Sequence, residues 1–210
     1  PQSLQPQRPA DVAPVDVFEV LRAHVVDVVL DHHQPLRERA DHAAGRVERA
    51  RGQAPFAALV SCADSRVAPE LAFDEPPGAL FVCRLAGNLV NADVLASLEY
   101  AVTFLGTSLI VVLGHSSCGA VKGACDHVEM GNLTELLAKL QPAVYQEQTV
   151  VEPGERTSKN KSFVESVARI NVLRSVRAVV ERSFILEKLI AQGQIGVVGG
   201  MPVLVVVPEK

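Results

Sequence analysis

Phe56-Ala57-Ala58-Leu59-Val60-Ser61 runs into Cys62-Ala63-Asp64-Ser65-Arg66, and Leu109-Ile110-Val111-Val112-Leu113-Gly114 runs into His115-Ser116-Ser117-Cys118. Each stretch begins as a short, continuous apolar run, the pattern of a strand buried on both faces, and helical patterning separates the two. They read as parallel strands of one α/β sheet. Ligands of open α/β sheets bind outside the carboxyl ends of the strands, so both tails aim at one crevice. The tails carry two thiols, an imidazole and a carboxylate. Three such donors around an open fourth position suit a catalytic Zn²⁺, which makes Cys62, His115 and Cys118 the expected ligands and Asp64 a candidate fourth. Any one of these residues alone would read as a core side chain. Four ligand types at two strand ends point to metal.

Composition predicts a folded, mildly acidic chain. Of its 210 residues 48% are hydrophobic, and the net charge is −4. A packed globule follows, with no electrostatic case for nucleic acid or an anionic membrane. No apolar run approaches the roughly 18 residues of a membrane span. Four cysteines at this length do not make a disulfide framework. With Cys62 and Cys118 assigned to metal, Cys83 and Cys125 are expected as free thiols, which suits a reducing cytoplasm. No secretory signal pattern opens the chain, although a start at Pro rather than Met leaves processed export as an alternative.

The Pro- and Gln-rich residues 1–14 predict a flexible arm, and residues 15–210 a single α/β domain. That domain is expected to be three-layered: a mostly parallel sheet of about four strands plus an edge strand, flanked by helices, with an N-terminal helical arm. Asp16-Val17-Phe18-Glu19 can start a helix with Phe18, Leu21, Val25, Val28 and Val29 on one face. A second helix is expected over 36–51, stopped by Gly52. Strands follow near 56–62, 79–84 and 109–114, and helices near 68–73, 91–105, 118–126, 132–141 and 164–192, the last broken around Ser183. Residues 152–161 read as a charged loop with nothing to add to a core. Ile195-Gly196-Val197-Val198 is expected as a strand. Val203-Leu204-Val205-Val206-Val207, after Pro202, reads as an edge strand that needs cover.

Cys-x-Asp-x-Arg followed by His-x-x-Cys-Gly resembles the β-class carbonic anhydrases. Similar stretches are Gly52-Gln53, Ala63-Asp64-Ser65-Arg66-Val67, Phe81-Val82-Cys83-Arg84-Leu85-Ala86-Gly87-Asn88, Ser97-Leu98-Glu99-Tyr100-Ala101 and Gly114-His115-Ser116-Ser117-Cys118-Gly119-Ala120. The close similarity runs over roughly 52–125, with a weaker helical echo around 171–200. The first fifty residues and the last ten depart from the family pattern. The resemblance implies one zinc per chain and reversible hydration of CO₂ to bicarbonate and a proton, by attack of hydroxide from a zinc-bound water whose pKa falls toward about 7. It also implies that Gln53 orients substrate, that Phe81 and Tyr100 line the pocket from a subunit interface, and that homodimers or higher homo-oligomers form. Gly87 and Gly119 are expected to let backbone approach the site closely.

Asp64 has two chemical readings beside zinc. It can complete the tetrahedron, or it can pair with the planar fork of Arg66 and leave the fourth position open; both arrangements occur in the family. Capping of the following helix is the plainer role for Asp64-Ser65. Cys118, at a helix start after a glycine-bounded turn, is expected to favour its thiolate.

Other motifs yield less. Gly114 and Gly119 have the spacing of a phosphate loop, but Ala120 stands where such a loop requires Lys. Asp31-His32-His33 and His42 read as solvated helix ends, and His127 as a surface residue that could shuttle protons. Two further functions fit the same donors: hydrolysis of CS₂ or COS, and a zinc-stabilised scaffold or regulatory subunit without activity.

Overall fold

A computed structural model describes residues 29–30 and 49–204. In chain order the elements are β1 (Val29–Leu30), β2 (Ala57–Ser61), α1 (Pro69–Ala72), β3 (Leu80–Arg84), α2 (Ala92–Phe104), β4 (Leu109–Leu113), α3 (Gly119–Cys125), α4 (Gly131–Ala138), α5 (Gln141–Gln146), α6 (Lys161–Glu181), α7 (Phe184–Ala191), β5 (Gly196–Gly200) and β6 (Val203–Leu204). Single 3-10 turns lie at Ala86–Asn88 and Pro153–Glu155.

Ala57 through Ser61 are all buried, as a strand with neighbours on both edges and cover on both faces must be. The sheet order is β3-β2-β4-β5, parallel throughout. Helix α2 packs on β2 and β3, and α6 on β4 and β5. Strands that follow one another, β2 and then β3, lie on one side, whereas β4 returns to the other side of β2. This reversal opens a crevice at the carboxyl ends of β2 and β4. Register does the rest: Ser61 pairs with Leu113, so Cys62 and Gly114 leave the sheet side by side, and His115 follows one residue on.

The four parallel strands lie where the apolar runs predict them. The segment after Pro202 also starts a strand, but Val203 and Leu204 pair in parallel with Val29 and Leu30 in a separate two-stranded sheet. The edge is therefore covered by this chain's own N-terminal segment. Val29 was expected on a helical face; a run rich in β-branched Val satisfies strand and helix patterns alike, and tertiary pairing chose strand. The arm at 1–14, the capping motif at Asp16 and most of the 36–51 helix lie outside the described residues.

The expectations for 132–141 and 152–161 give way, and the break at Ser183 falls where the sequence put it. The 132–141 helix stops at Ala138 and a separate α5 begins at Gln141, with Pro142 in its first turn. The break at Ser183 is a cap: its hydroxyl accepts the Leu186 N–H at 3.2 Å and donates to Glu99 Oε1 at 2.6 Å. The 152–161 loop does contribute to the interior. Arg156 reaches in to the buried Glu147 carboxylate, Nη1 to Oε2 at 3.1 Å, and lies over the Phe163 ring at 4.7 Å. Among the described residues no helix is long and apolar enough to cross a membrane.

Candidate metal centre

Cys62, one residue beyond β2, and Cys118, at the N-cap of α3, bring their sulfurs to 3.8 Å, both buried. His115, between β4 and α3, is 1% exposed. Its Nδ1 lies 2.9 Å from the Ser116 carbonyl. A carbonyl only accepts, so Nδ1 carries the proton and Nε2 the lone pair. That Nε2 is buried and has no hydrogen-bond partner among the described residues. The three donor atoms all lie within 4.8 Å of one another.

This donor set fits zinc. A tetrahedral ion with Zn–S near 2.3 Å sets its two sulfurs about 3.8 Å apart, the separation seen here. Charge makes the same case. The neighbouring Cys118 sulfur and the Gly87 N–H, opposed by burial, pull the Cys62 pKa down. The same Cys62 sulfur, together with burial, raises that of Cys118, against the pull of the Val121 and Ala120 N–H groups. Two such sulfurs cannot both ionise unless a cation joins them. An N–H from Gly87 lies 3.4 Å from Cys62 Sγ, and the Ala120 and Val121 N–H groups at the start of α3 face Cys118.

Asp64 turns both carboxylate oxygens to Arg66: Nε donates to Oδ1 at 2.9 Å and Nη2 to Oδ2 at 2.6 Å, with the Arg66 backbone N–H adding a third bond at 3.0 Å. The Arg66 side chain first, and then its backbone N–H, hold the Asp64 carboxyl well below the usual carboxylate range, against partial burial. Oδ2 nonetheless remains 3.9 Å from His115 Nε2. The pair therefore sits at the donors' edge without joining them.

The other predicted residues divide. Gly87 needs to be glycine: its φ is +73°, and a Cβ would stand 2.9 Å from Leu140 Cδ1. At Gly119 a Cβ would meet no protein atom within 4 Å, so no protein contact requires glycine there. Gln53 is exposed in the loop ahead of the amino end of β2, while Cys62 follows its carboxyl end. Phe81 and Tyr100 stand with ring centroids 6.3 Å apart, and Phe104 continues the row at 5.5 Å. This row lies on β3, the outer strand of the four-stranded sheet, and on α2 beside it. Cys83 and Cys125 are free thiols, as expected; burial pushes Cys125 up to about 11 and also raises Cys83, where Ser97 opposes it.

Sequence reading missed Arg84. Its guanidinium donates to the carbonyls of Cys62 at 2.9 Å and Asp64 at 2.6 Å, clamping the backbone that carries ligand and dyad. The available signal was a charge closing an otherwise apolar strand.

An α/β sheet with a Cys, His, Cys cluster at its topological switch point, flanked by an Asp–Arg pair, defines a zinc-type catalytic centre. Residues 57–204 match the carbonic anhydrase family model. Carbonic anhydrase 2 of Mycobacterium tuberculosis is 36% identical over 191 residues, covering 89% of this chain and 86% of that protein; the similarity therefore extends into the N-terminal segment. The carbonic anhydrase of Pseudomonas aeruginosa is 53% identical over 75 residues, 33% of this chain and 34% of that one. Among solved structures, a tetrameric β-carbonic anhydrase from Sordaria macrospora superposes with a TM-score of 0.67 at 27% identity, covering 78% of this chain and 83% of the other. The Coccomyxa β-carbonic anhydrase in complex with acetazolamide gives 0.66 at 27% identity, with 78% and 74% covered. The chain belongs to the β-carbonic anhydrase family.

Proposed function

We propose that this chain hydrates CO₂ reversibly to bicarbonate and a proton, with one zinc held by Cys62, His115 and Cys118. The observation that carries the reading is that cluster: two sulfurs at tetrahedral spacing and an imidazole lone pair left buried beside them. Zinc, when bound, supplies the Lewis acidity that makes water a nucleophile near neutral pH. Arg66 keeps the Asp64 carboxylate ionised and off the donor set, which leaves a fourth position for water. With zinc held there, Asp64 Oδ2, 3.9 Å from His115 Nε2, would be the acceptor for the O–H of a water beside the donors. Arg66 is half exposed, so the dyad lies at the boundary through which the proton leaves.

The chain works as a homodimer or larger homo-oligomer in this reading. The exposed ring row and the outer strand β3 call for a partner, and Gln53 lies at the end of β2 away from the donors, so substrate orientation by Gln53 falls to a neighbouring subunit. The tetrameric Sordaria relative supports this. Free Cys83 and Cys125 support a reducing compartment such as the cytoplasm.

Stopped-flow CO₂ hydration on protein of known zinc content tests the function. Rates should scale with zinc occupancy. Fully zinc-loaded protein that does not accelerate hydration would reject it.

A further inference from the structure

Two buried polar residues interrupt the apolar face of α6. Asn171 is 3% exposed and Ser175 5%, within a stripe otherwise made of Val164, Val167, Ala168, Val172, Val176 and Val179. A buried polar side chain costs stability unless it is paired, and both are paired to the same short stretch of backbone. Asn171 Nδ2 donates to the Gly87 carbonyl at 2.7 Å, and Ser175 Oγ to the Asn88 carbonyl at 3.1 Å. One helical turn apart, they grip consecutive carbonyls of a turn that is itself unusual: Gly87 and Asn88 both have positive φ, +73° and +43°. The N–H of the gripped Gly87 is the one that points at Cys62 Sγ.

The neighbouring residue on α6 acts on the other ligand arm. A Cβ on Gly114, the residue before His115, would stand 2.5 Å from Val172 Cγ2. Positions 171 and 172 therefore meet the segments carrying Cys62's hydrogen-bond donor and His115.

We propose that Asn171 is a positioning residue for the metal centre: by anchoring the Gly87–Asn88 peptide it holds Gly87 in its left-handed turn, and that turn sets the preceding peptide so that the Gly87 N–H meets the Cys62 sulfur, tuning it as a zinc ligand. The inference rests on the zinc reading above. Outer hydrogen bonds to metal ligands typically change metal affinity by about 10–100-fold, and that is the size of effect assigned to Asn171. Ser175 holds the next carbonyl and reinforces the same left-handed turn.

The test compares Asn171→Leu, which keeps the volume and removes the donor, and the milder Asn171→Ala with Val179→Ala. Val179 is fully buried on the same helix and bonds to nothing in the turn, so its variant reports loss of helix packing alone. Zinc affinity is read by competition with a chromophoric chelator, and ligand electronics by the sulfur-to-metal charge-transfer band of the cobalt-substituted protein. A misaimed, weaker Gly87 N–H bond raises the energy of the sulfur lone pair, so the band should move to longer wavelength. Both Asn171 variants should show that shift with zinc binding about 10–100-fold weaker, while Val179→Ala lowers the melting temperature without moving the band. If Asn171→Leu does not fold, Asn171→Ala carries the same reading. An unmoved band with unchanged affinity, or an equal shift in Val179→Ala, would overturn the assignment. Failure of the parent protein to bind zinc would overturn the zinc reading instead.

Discussion

Cys62 and Cys118 hold their sulfurs 3.8 Å apart, the spacing a tetrahedral zinc sets, so their replacement has a clear consequence. Cys62→Ser or Cys118→Ser should lower bound zinc to a small fraction of one per chain, as elemental analysis would read. Stability should fall with it, since metal binding energy is folding energy at such sites. Arg66→Ala should keep the zinc and lower the hydration rate by about 100-fold, because Asp64 is then free to swing onto the fourth position; stopped-flow assay of zinc-replete variant measures this. Glu147, a residue no sequence motif marked, is predicted to matter at acid pH. Burial pushes its carboxyl up, but Thr149 through hydroxyl and N–H, the Val150 N–H and Ser166 outweigh burial, and its pKa is lowered overall. A lowered carboxyl adds stability above its unfolded value of about 4.3 and loses it as pH falls through the folded value. Glu147→Gln should therefore cost about 1–3 kcal/mol at neutral pH, and the deficit against the parent should shrink by about pH 3.5. Urea denaturation of both proteins at the two pH values gives the difference, in which common zinc loss cancels. Equal deficits would show that Glu147 acts through shape alone.

At the scale of elements, α6 is the piece on which the site is built. It packs on β4 and β5 and bonds to the 86–88 turn, and it meets the sheet where glycines leave room. A Cβ at Gly199 would lie 2.7 Å from Val172 Cγ1, and one at Gly114 would meet both Val172 and Met201 Sδ, the latter at 2.6 Å. Gly114→Ala should therefore destabilise by about 1–3 kcal/mol through overpacking and also weaken zinc binding, because His115 is the next residue; thermal melts and chelator competition read the two effects separately. The α6–α7 break is legible in the sequence as Ser183, a residue type that caps helices. Ser183→Ala should cost about 1–2 kcal/mol by thermal unfolding while leaving zinc stoichiometry at one per chain. Strand β1 shows the opposite case: Val29-Leu30 patterns equally as helix or strand, and only the partner Val203-Leu204 resolves it.

For the whole molecule, the open question is the outer strand β3 with its aromatic row. Tyr100 and Phe104 are each 39% exposed and Phe56, at the start of β2, is 54% exposed. Apolar surface beside a strand that is outermost among the described residues suits the interface of the proposed homo-oligomer. Placing a charge there, as in Phe104→Glu, should convert the assembly to monomer in sedimentation and lower CO₂ hydration sharply, although all three zinc donors are intact. A fully active monomer at micromolar concentration would remove the subunit-shared pocket from the mechanism.

The strands of the main sheet, their parallel sense and the three donors were readable from the chain because each depends on local pattern: continuous apolar runs for doubly buried strands, and ligand side chains placed directly after them. The sheet rule then put Cys62, His115 and Cys118 in one crevice without coordinates. Tertiary structure decided what depends on partners distant in sequence. Gly87 can donate to Cys62 only because Asn171 and Ser175 hold its turn from a helix some eighty residues away. The 152–161 loop entered the core because Glu147 offered its Arg156 a buried countercharge. Val203-Leu204 found a partner in Val29-Leu30. Hydrophobic periodicity records which face is buried, but a hydrogen bond across the fold leaves in the sequence only a polar residue where an apolar one was expected.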